Sequence, residues 1–394
     1  MTIRLARRLQ RIRPSATVSI TAKALNLREQ GVDIIGLSAG EPDFATPEHV
    51  SAAGIEAIAS GNTKYTALDG ARPLKLAIVA KLARDNGLAY EPAQILVTSG
   101  AKQACFNACQ ALLDPGDEVV IPAPYWVSYP EMVRLSDAEP VIVEARAVRG
   151  FTITAEQLAA AITPATRLLI LNSPCNPTGA VYLRAQWQAL GEVLREHPRV
   201  MILSDEIYEH IYWAEEPFTS FAEACPELYD RTITINGMSK GYAMSGWRIG
   251  YAAGPEALIK AMTTIQGQST TNACTISQAA AVTALTGNQQ CVRDMCAMFK
   301  ERHDAVHARI NAIPGFRCPP GLGAFYLFPE IGGAMRAKGI DDDVGFCEAL
   351  LESARVAVVP GSAFGAPAHL RISFAASLET LDRALDRIEE FMAR

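Results

Sequence analysis

The chain predicts an α/β fold: a mostly parallel, doubly wound sheet in a large domain, accompanied by a smaller α+β domain. Short apolar runs alternate with helical patterns through the middle of the sequence. Polar residues stand directly after several of those runs. Beyond about residue 313 the pattern changes to short strands separated by Pro/Gly-rich turns.

The basic stretch from Arg4 to Arg13 reads as a solvated arm. Val97-Thr98 looks like a strand feeding a helix. Glu118 to Ile121, Pro140 to Val143, Arg167 to Leu171, Val200 to Leu203 and Thr232 to Ile235 are nearly continuous apolar runs, several of them β-branched. Such runs fit strands covered by helices on both faces. Ala155 to Ala161 and Ala185 to Glu196 supply intervening helices. Thr275 to Ile313 is strongly helical, interrupted mainly at Gly287, and carries the chain out of the large domain. A turn follows at Pro319, Pro320, Gly321 and Gly323. Then come a strand (Phe325 to Phe328), a helix (Asp343 to Ala354) and a strand pair (Val356 to Val359 and Leu370 to Phe374). The expected division is 1–49 as N-terminal arm and part of the small domain, 50–290 as the large domain and 291–394 as the C-terminal small domain.

Apolar content of 49% and charged content of 20% suit a globular chain with a large core. A net charge of −6 argues against nucleic acid as a main partner. No apolar run reaches the roughly 18 to 20 residues that span a bilayer. No apolar block of signal-peptide length follows the basic start, so the expected compartment is the cytoplasm. The nine cysteines form no C-x-x-C pair and read as buried free thiols. His303 and His307 have a possible metal spacing. Their Arg and Asp neighbours favour a solvated helix face, and no metal is expected.

The richest stretch runs from Asn236 to Gly250, just after an apolar strand. It sets Lys240 in a small-residue loop and Arg248 eight positions later. An amine there can form an imine with an aldehyde cofactor, and the guanidinium can hold that cofactor's phosphate. Ligands of doubly wound sheets sit outside the carboxyl ends of the strands, where further candidates fall. Asp205 can keep a pyridine nitrogen protonated, the alternative being a helix N-cap. Tyr208 can reach a ring hydroxyl one helical turn on, while Glu206 faces away. Asn172 to Gly179 forms a turn whose two prolines are compatible with cis bonds and which presents Asn176. Gly100 and Ala101 open a helix whose free amides and dipole attract an anion. Trp126 offers an aromatic face. Arg371, in a half-buried strand, wants a bidentate anion such as an α-carboxylate; the alternative is a structural salt bridge. Gly40 adds a backbone amide.

Together with Pro14-Ser15-Ala16-Thr17, Gly40-Glu41-Pro42-Asp43-Phe44, Thr63-Lys64-Tyr65, Tyr125-Trp126-Val127-Ser128-Tyr129-Pro130 and Val358-Val359-Pro360-Gly361, these motifs carry a resemblance. In this order, and over essentially the whole chain, they resemble the class I aminotransferases of pyridoxal-phosphate fold type I. The match is strongest to the bacterial aspartate branch, some of whose members also use prephenate. The resemblance implies pyridoxal 5'-phosphate as cofactor, with Lys240, Asp205 and Tyr208 catalytic. It implies cofactor contacts from Gly100, Ala101, Lys102, Trp126, Asn176, Ser239 and Arg248. Tyr65 would reach the phosphate of a neighbouring subunit, so a homodimer with shared sites is implied. Gly40, Trp126, Asn176 and Arg371 would hold the amino acid. Lys102 would meet a distal carboxylate, Arg13 would serve prephenate, and Thr270 corresponds to a position that bears on the same choice. The implied reaction moves an amino group between L-aspartate and 2-oxoglutarate.

Other readings compete. Aromatic amino-acid transfer, β-lyase or cyclopropane-synthase chemistry could occupy the same fold. Gly237-Met238-Ser239-Lys240-Gly241 satisfies G-x-S-x-G, so a serine hydrolase using Ser239 is a formal alternative. It needs a histidine, and His303, His307 or His369 would have to serve. A cofactor-binding regulator would need an added helix-turn-helix, for which the chain leaves no room.

Overall fold

The computed structural model describes residues 3–14 and 16–394; Ser15 of the early motif lies outside them. In chain order the elements begin with α1 (Ala16–Glu29), β1 (Ile35–Gly36), α2 (Glu48–Ala59), α3 (Arg72–Asn86), β2 (Ile95–Thr98), α4 (Ala101–Leu112) and β3 (Glu118–Ala123). Next come α5 (Ser128–Leu135), β4 (Glu139–Glu144), α6 (Ala155–Ala161), β5 (Thr166–Asn172), α7 (Arg184–Arg195), β6 (Met201–Asp205), α8 (Phe221–Ala224) and β7 (Thr232–Gly237). The remainder is β8 (Gly250–Ala253), α9 (Glu256–Gly267), α10 (Thr275–Thr286), α11 (Gln290–Ala312), β9 (Tyr326–Leu327), α12 (Gly332–Lys338), α13 (Asp343–Ala349), β10 (Val356–Ala357), β11 (Val359–Pro360), β12 (Leu370–Ser373) and α14 (Leu378–Ala393).

Seven strands form the central sheet in the order β2-β8-β7-β6-β5-β3-β4. The β7-β6-β5-β3-β4 run is parallel, and only β8 is antiparallel to its neighbours. The near-continuous apolar runs have the expected cause. Val119, Ile121, Leu168 and Ile170 pack with Cys105 and Cys109 of α4 on one face. Val120, Leu169, Leu171 and Ile202 pack with Trp187 and Leu190 of α7 on the other. The inner positions of β3, β5 and β6 are therefore apolar on both faces, because helices cover both; the edge strand β4 is mostly exposed or half-buried. Strand β8, Gly-Tyr-Ala-Ala, carries no such run and is not evident from the sequence.

A second core gathers Phe299, Phe325, Phe346, Ile372 and Leu385. Around it β9, β11 and β12 form an antiparallel sheet. The run from Val356 to Val359 does not make one strand. Val356–Ala357 pairs with β1, whereas Val359–Pro360 pairs with β12. Phe325 and Phe328, expected inside a strand, flank a two-residue β9 and are buried in packing instead. Ala24 and Ile34 near the N-terminus pack on Leu351 and Ala357.

The cysteines among the described residues are all free; five are buried and Cys274 is exposed. His303 corrects the expectation of a solvated face. It is buried, its Nε2 accepts from the Gly321 amide at 3.1 Å, and its ring lies against Trp213. The long helix α11 is covered there by the turn at 319–323, which its own spacing could not reveal. Among the described residues no three His, Cys, Asp or Glu side chains cluster as a metal site, and no helix is long and apolar enough to cross a membrane.

Candidate active site

A cavity of about 240 Å³ lies at the carboxyl ends of the parallel strands. Each wall has a local cause. Strand β7 ends in Gly237 and the chain returns along β8 through Gly250, with Gly237 and Gly250 paired. A Cβ on Gly237 would come within 2.8 Å of the Gly250 Cα, so the base of this loop closes only on hydrogen atoms. The loop between them carries Ser239, Lys240 and Arg248 into the cavity.

Gly100, at φ +84°, precedes α4, and its carbonyl accepts from the Gln103 amide at 3.1 Å. A Cβ there would collide with Arg248 Nη2, so guanidinium and helix start share one concavity. Arg248 Nη1 donates to the Ser245 carbonyl at 2.8 Å, holding the fork. No side chain caps α4, which leaves its first amides for an anion. Ala101 begins α4 with ordinary helical backbone, so its methyl does not disturb this arrangement.

Asp205 closes β6 and is 3% exposed. Its Oδ2 accepts from the Tyr129 hydroxyl at 2.6 Å, and its Oδ1 accepts from the Ile207 amide at 3.2 Å. Burial pushes its pKa up to about 6; the bond from Tyr129, the Ile207 amide and the Lys240 ammonium pull the other way. Lys240 Nζ donates to the Gly40 carbonyl. Burial lowers its pKa to about 8, helped by Arg248 and Arg371 and opposed by Glu41 and Asp205. An amine near 8 has an accessible neutral form at neutral pH. Tyr208 donates or accepts at the Tyr326 hydroxyl, 2.9 Å away.

The turn after β5 has cis bonds at Ser173-Pro174 and Asn176-Pro177. Asn172 Oδ1 accepts from the Asn176 amide at 2.9 Å, which presents the Asn176 side chain inward. Arg371 is 2% exposed on β12. Its Nη1 donates to Asn176 Oδ1 at 2.9 Å and its Nη2 to the Ser38 carbonyl at 2.6 Å. Its Nε has no acceptor, and no carboxylate of the described residues pairs with it. The guanidinium lies 4.5 Å from the Tyr326 ring centre. Lys102 Nζ lies 4.8 Å over the Trp126 ring. The loop at Gly40 is tied down by Asp43, which takes a bidentate pair from Arg302 at 2.7 and 3.0 Å.

The structure thus brings Gly40, Ala101, Lys102, Trp126, Asn176, Asp205, Tyr208, Ser239, Lys240, Arg248 and Arg371 to one cavity. Gly100 stands just behind this lining, against Arg248, and three other expected residues lie farther off. Tyr65 is 89% exposed and does not line its own chain's cavity. Arg13 lines a neighbouring groove of about 630 Å³, with its backbone amide on Glu131 Oε2 at 2.9 Å. Thr270 is a step removed, bonded at 2.6 Å to Gln103, whose Oε1 in turn accepts from the Ser99 amide. Glu206 faces away, its Oε1 accepting from Ser204, Ser220 and the Phe221 amide. Sequence reasoning misses Tyr129 and Tyr326. Tyr129 sits inside a motif of the resemblance, and Tyr326 inside an expected strand.

The hydrolase alternative fails on geometry, because no histidine lines the cavity that holds Ser239. His307 Nε2 contacts the Cys318 carbonyl and His369 Nδ1 the Pro367 carbonyl. The donor set suits a small aromatic ring with an anionic arm at Gly100 and Arg248, a basic nitrogen at Asp205 and an electrophile at Lys240.

The profile of the family described as "Aminotransferase class I and II" matches residues 32–388. A protein of Cereibacter sphaeroides named aspartate/prephenate aminotransferase is 53% identical, over 98% of each chain. The solved aspartate aminotransferase of Rhizobium meliloti superposes with a TM-score of 0.96 at 49% identity, covering 100% of both chains. That of Thermus thermophilus, solved with maleate, gives 0.92 at 45% identity over 99% of this chain and 100% of its own.

Proposed function

The chain belongs to the class I and II aminotransferase family, and on that premise we propose that it transfers the amino group reversibly between L-aspartate and 2-oxoglutarate, with prephenate as a further acceptor. We read pyridoxal 5'-phosphate as its cofactor, the cytoplasm as its compartment and a homodimer as its working form. In that dimer Tyr65 reaches the partner's cofactor phosphate. Segments 1–49 and 291–394 act as one body against the cofactor-binding segment 50–290.

The observation that carries the reading is Arg371. It is a buried guanidinium whose fork ends on neutral oxygens and whose Nε has no acceptor. A buried cation of this kind calls for an anion from outside the chain, and an amino acid's α-carboxylate has the matching planar shape. Bound there, the substrate would place its α-carbon toward Lys240. Asn176 fixes the fork, and the Tyr326 face limits its tilt.

When bound, the cofactor supplies an electron-accepting ring and an aldehyde carbon. The chain does the rest. Gly100, Ala101, Ser239 and Arg248 hold the phosphate. Asp205 holds the proton on the ring nitrogen, and Tyr208 and Asn176 orient the ring hydroxyl. Lys240, with its amine near 8, moves the proton to and from the substrate α-carbon. Lys102, beside the Trp126 face, meets the distal carboxylate of a dicarboxylic substrate. Maleate, the compound with which the Thermus thermophilus enzyme was solved, is itself a dicarboxylate and is consistent with this preference.

The test is a half-reaction panel. L-aspartate, L-glutamate, L-phenylalanine and L-alanine are mixed separately with protein loaded with pyridoxal phosphate, and cofactor absorbance is followed. Dicarboxylic donors should react fastest, and 2-oxoglutarate and prephenate should each reverse the change. A preference for phenylalanine would move the reading to aromatic transfer. No spectral change with any donor would remove it.

A further inference from the structure

We propose that Tyr129 is a positioning residue for Asp205: its buried phenol fills one carboxylate oxygen, fixes the plane of the group and keeps it an anion against the cofactor's ring nitrogen. The proposal rests on the role of Asp205 given above and deepens it.

Two features of the geometry support it. Asp205 and Tyr129 are 3% and 2% exposed, and no ammonium or guanidinium of the described residues forms an ion pair with the carboxylate. A carboxylate in such a place neutralises itself unless hydrogen bonds favour the charge. The Tyr129 hydroxyl donates to Oδ2 at 2.6 Å, and the Cys105 Sγ lies 3.9 Å from the same oxygen. Oδ1 receives only the Ile207 amide, at 3.2 Å, and so retains capacity for a further donor. The two oxygens are thus divided between a fixed protein donor and the cavity.

The ring itself would be as well packed in a phenylalanine. It meets Trp126 edge-on at 5.2 Å and touches the α4 and β3 side chains of the same core. The hydroxyl is therefore the atom with the separate task. The titratable groups around Asp205 are Tyr129 on α5, Cys105 on α4, Cys175 after β5, Tyr208 after β6 and Lys240 after β7. Burial raises the pKa of both Tyr129 and Cys105 well above its ordinary value, so both stay protonated donors through the working range. Cys105 sits one turn inside the helix whose start is proposed to hold the phosphate, so the same helix that would receive the phosphate also reaches Asp205.

The test uses Tyr129→Phe and Asp205→Asn beside the parent. In the apoprotein, the 13C-carboxyl shift of Asp205, assigned with Asp205→Asn, is titrated; Tyr129→Phe should raise its midpoint by about one pH unit or more. Equilibrium dialysis with pyridoxal phosphate at neutral pH should then show about tenfold weaker binding for Tyr129→Phe, with an unchanged circular dichroism spectrum. Should Tyr129→Phe fail to fold, fluorotyrosine placed at 129 serves instead. It is a stronger donor of nearly the same shape, and it should lower the midpoint. An unmoved midpoint and unmoved affinity overturn the role of Tyr129. If Asp205→Asn itself binds the cofactor as tightly as the parent, the underlying reading of Asp205 has failed instead.

Discussion

Replacing Arg371 with lysine keeps the charge and removes the fork. The structure sets the size of the effect. The guanidinium now donates from Nη1 at 2.9 Å and from Nη2 at 2.6 Å, and Nε has no acceptor. An incoming carboxylate can take two parallel charge-assisted bonds. Each is worth roughly 1.5–3 kcal/mol. An ammonium retains about one, so Arg371→Lys should lower kcat/KM for L-aspartate by roughly 10- to 150-fold. Arg371→Leu removes both, for a loss on the order of 10² to 10⁴. Stability should move less. Leucine strands the Asn176 and Ser38 oxygens, at a cost of about 1–3 kcal/mol each, but also removes a buried charge that has no carboxylate partner. The assay is the first half-reaction, run with L-aspartate and with its α-methyl ester. The parent should strongly prefer the acid, and both variants should lose most of that preference. If Arg371→Lys stays within twofold of the parent and discriminates acid from ester as well as before, the α-carboxylate is held elsewhere.

Lys240→Ala should abolish turnover while leaving the apoprotein folded, as checked by single-turnover absorbance and thermal unfolding; substantial residual turnover would refute its role. Lys102→Gln should slow dicarboxylic donors more than phenylalanine, and an equal loss for both would detach it from substrate choice. Gly100→Ala forces a side chain into φ +84° and against Arg248 Nη2. Cofactor affinity should fall about tenfold or more, read by equilibrium dialysis. Burial holds the pKa of Glu206 up to about 7, from an ordinary 4.5, so the folded state favours its neutral form. Its contribution is full below about pH 4.5 and is lost as pH rises through 7, a change on the order of 3 kcal/mol. Glu206→Gln should therefore flatten the apoprotein's stability profile between pH 5 and 8 in urea titrations. The slope that remains near pH 6 combines Asp205, whose contribution is lost as pH rises, with the buried His210 and His303, whose lowered pKa values act in the opposite sense. An unchanged profile would show that Glu206 is ionised throughout.

The parallel strands were readable because burial on both faces leaves no polar alternation to hide them, as at Val119-Val120-Ile121. Lys240, Asp205 and Arg371 were readable because a charged side chain at the end of, or inside, such a strand demands a reason. Strand β8 was not, since Gly-Tyr-Ala-Ala has too little apolar surface to announce a strand and is held by its neighbours β2 and β7. Tyr129 was hidden by its proline-flanked aromatic context, and its partner on β6 is 76 residues away. His303 read as surface because the turn that covers it comes from outside α11. Tyr65 and Arg13 are a different case. Neither lines the cavity of its own chain, so the single chain does not display the roles expected of them.

The pairing of Gly237 with Gly250 makes the stretch between them a closed ring of fixed circumference, with Lys240 and Arg248 both mounted on it. On the reading proposed above, the span from amine to guanidinium is a ruler cut to one ligand length. Adding or deleting a single residue in 241–247 would spoil the grip at one end of the ligand whenever it preserved the other. Evolution can retune the substrate walls from other segments, but this ruler has to be inherited whole.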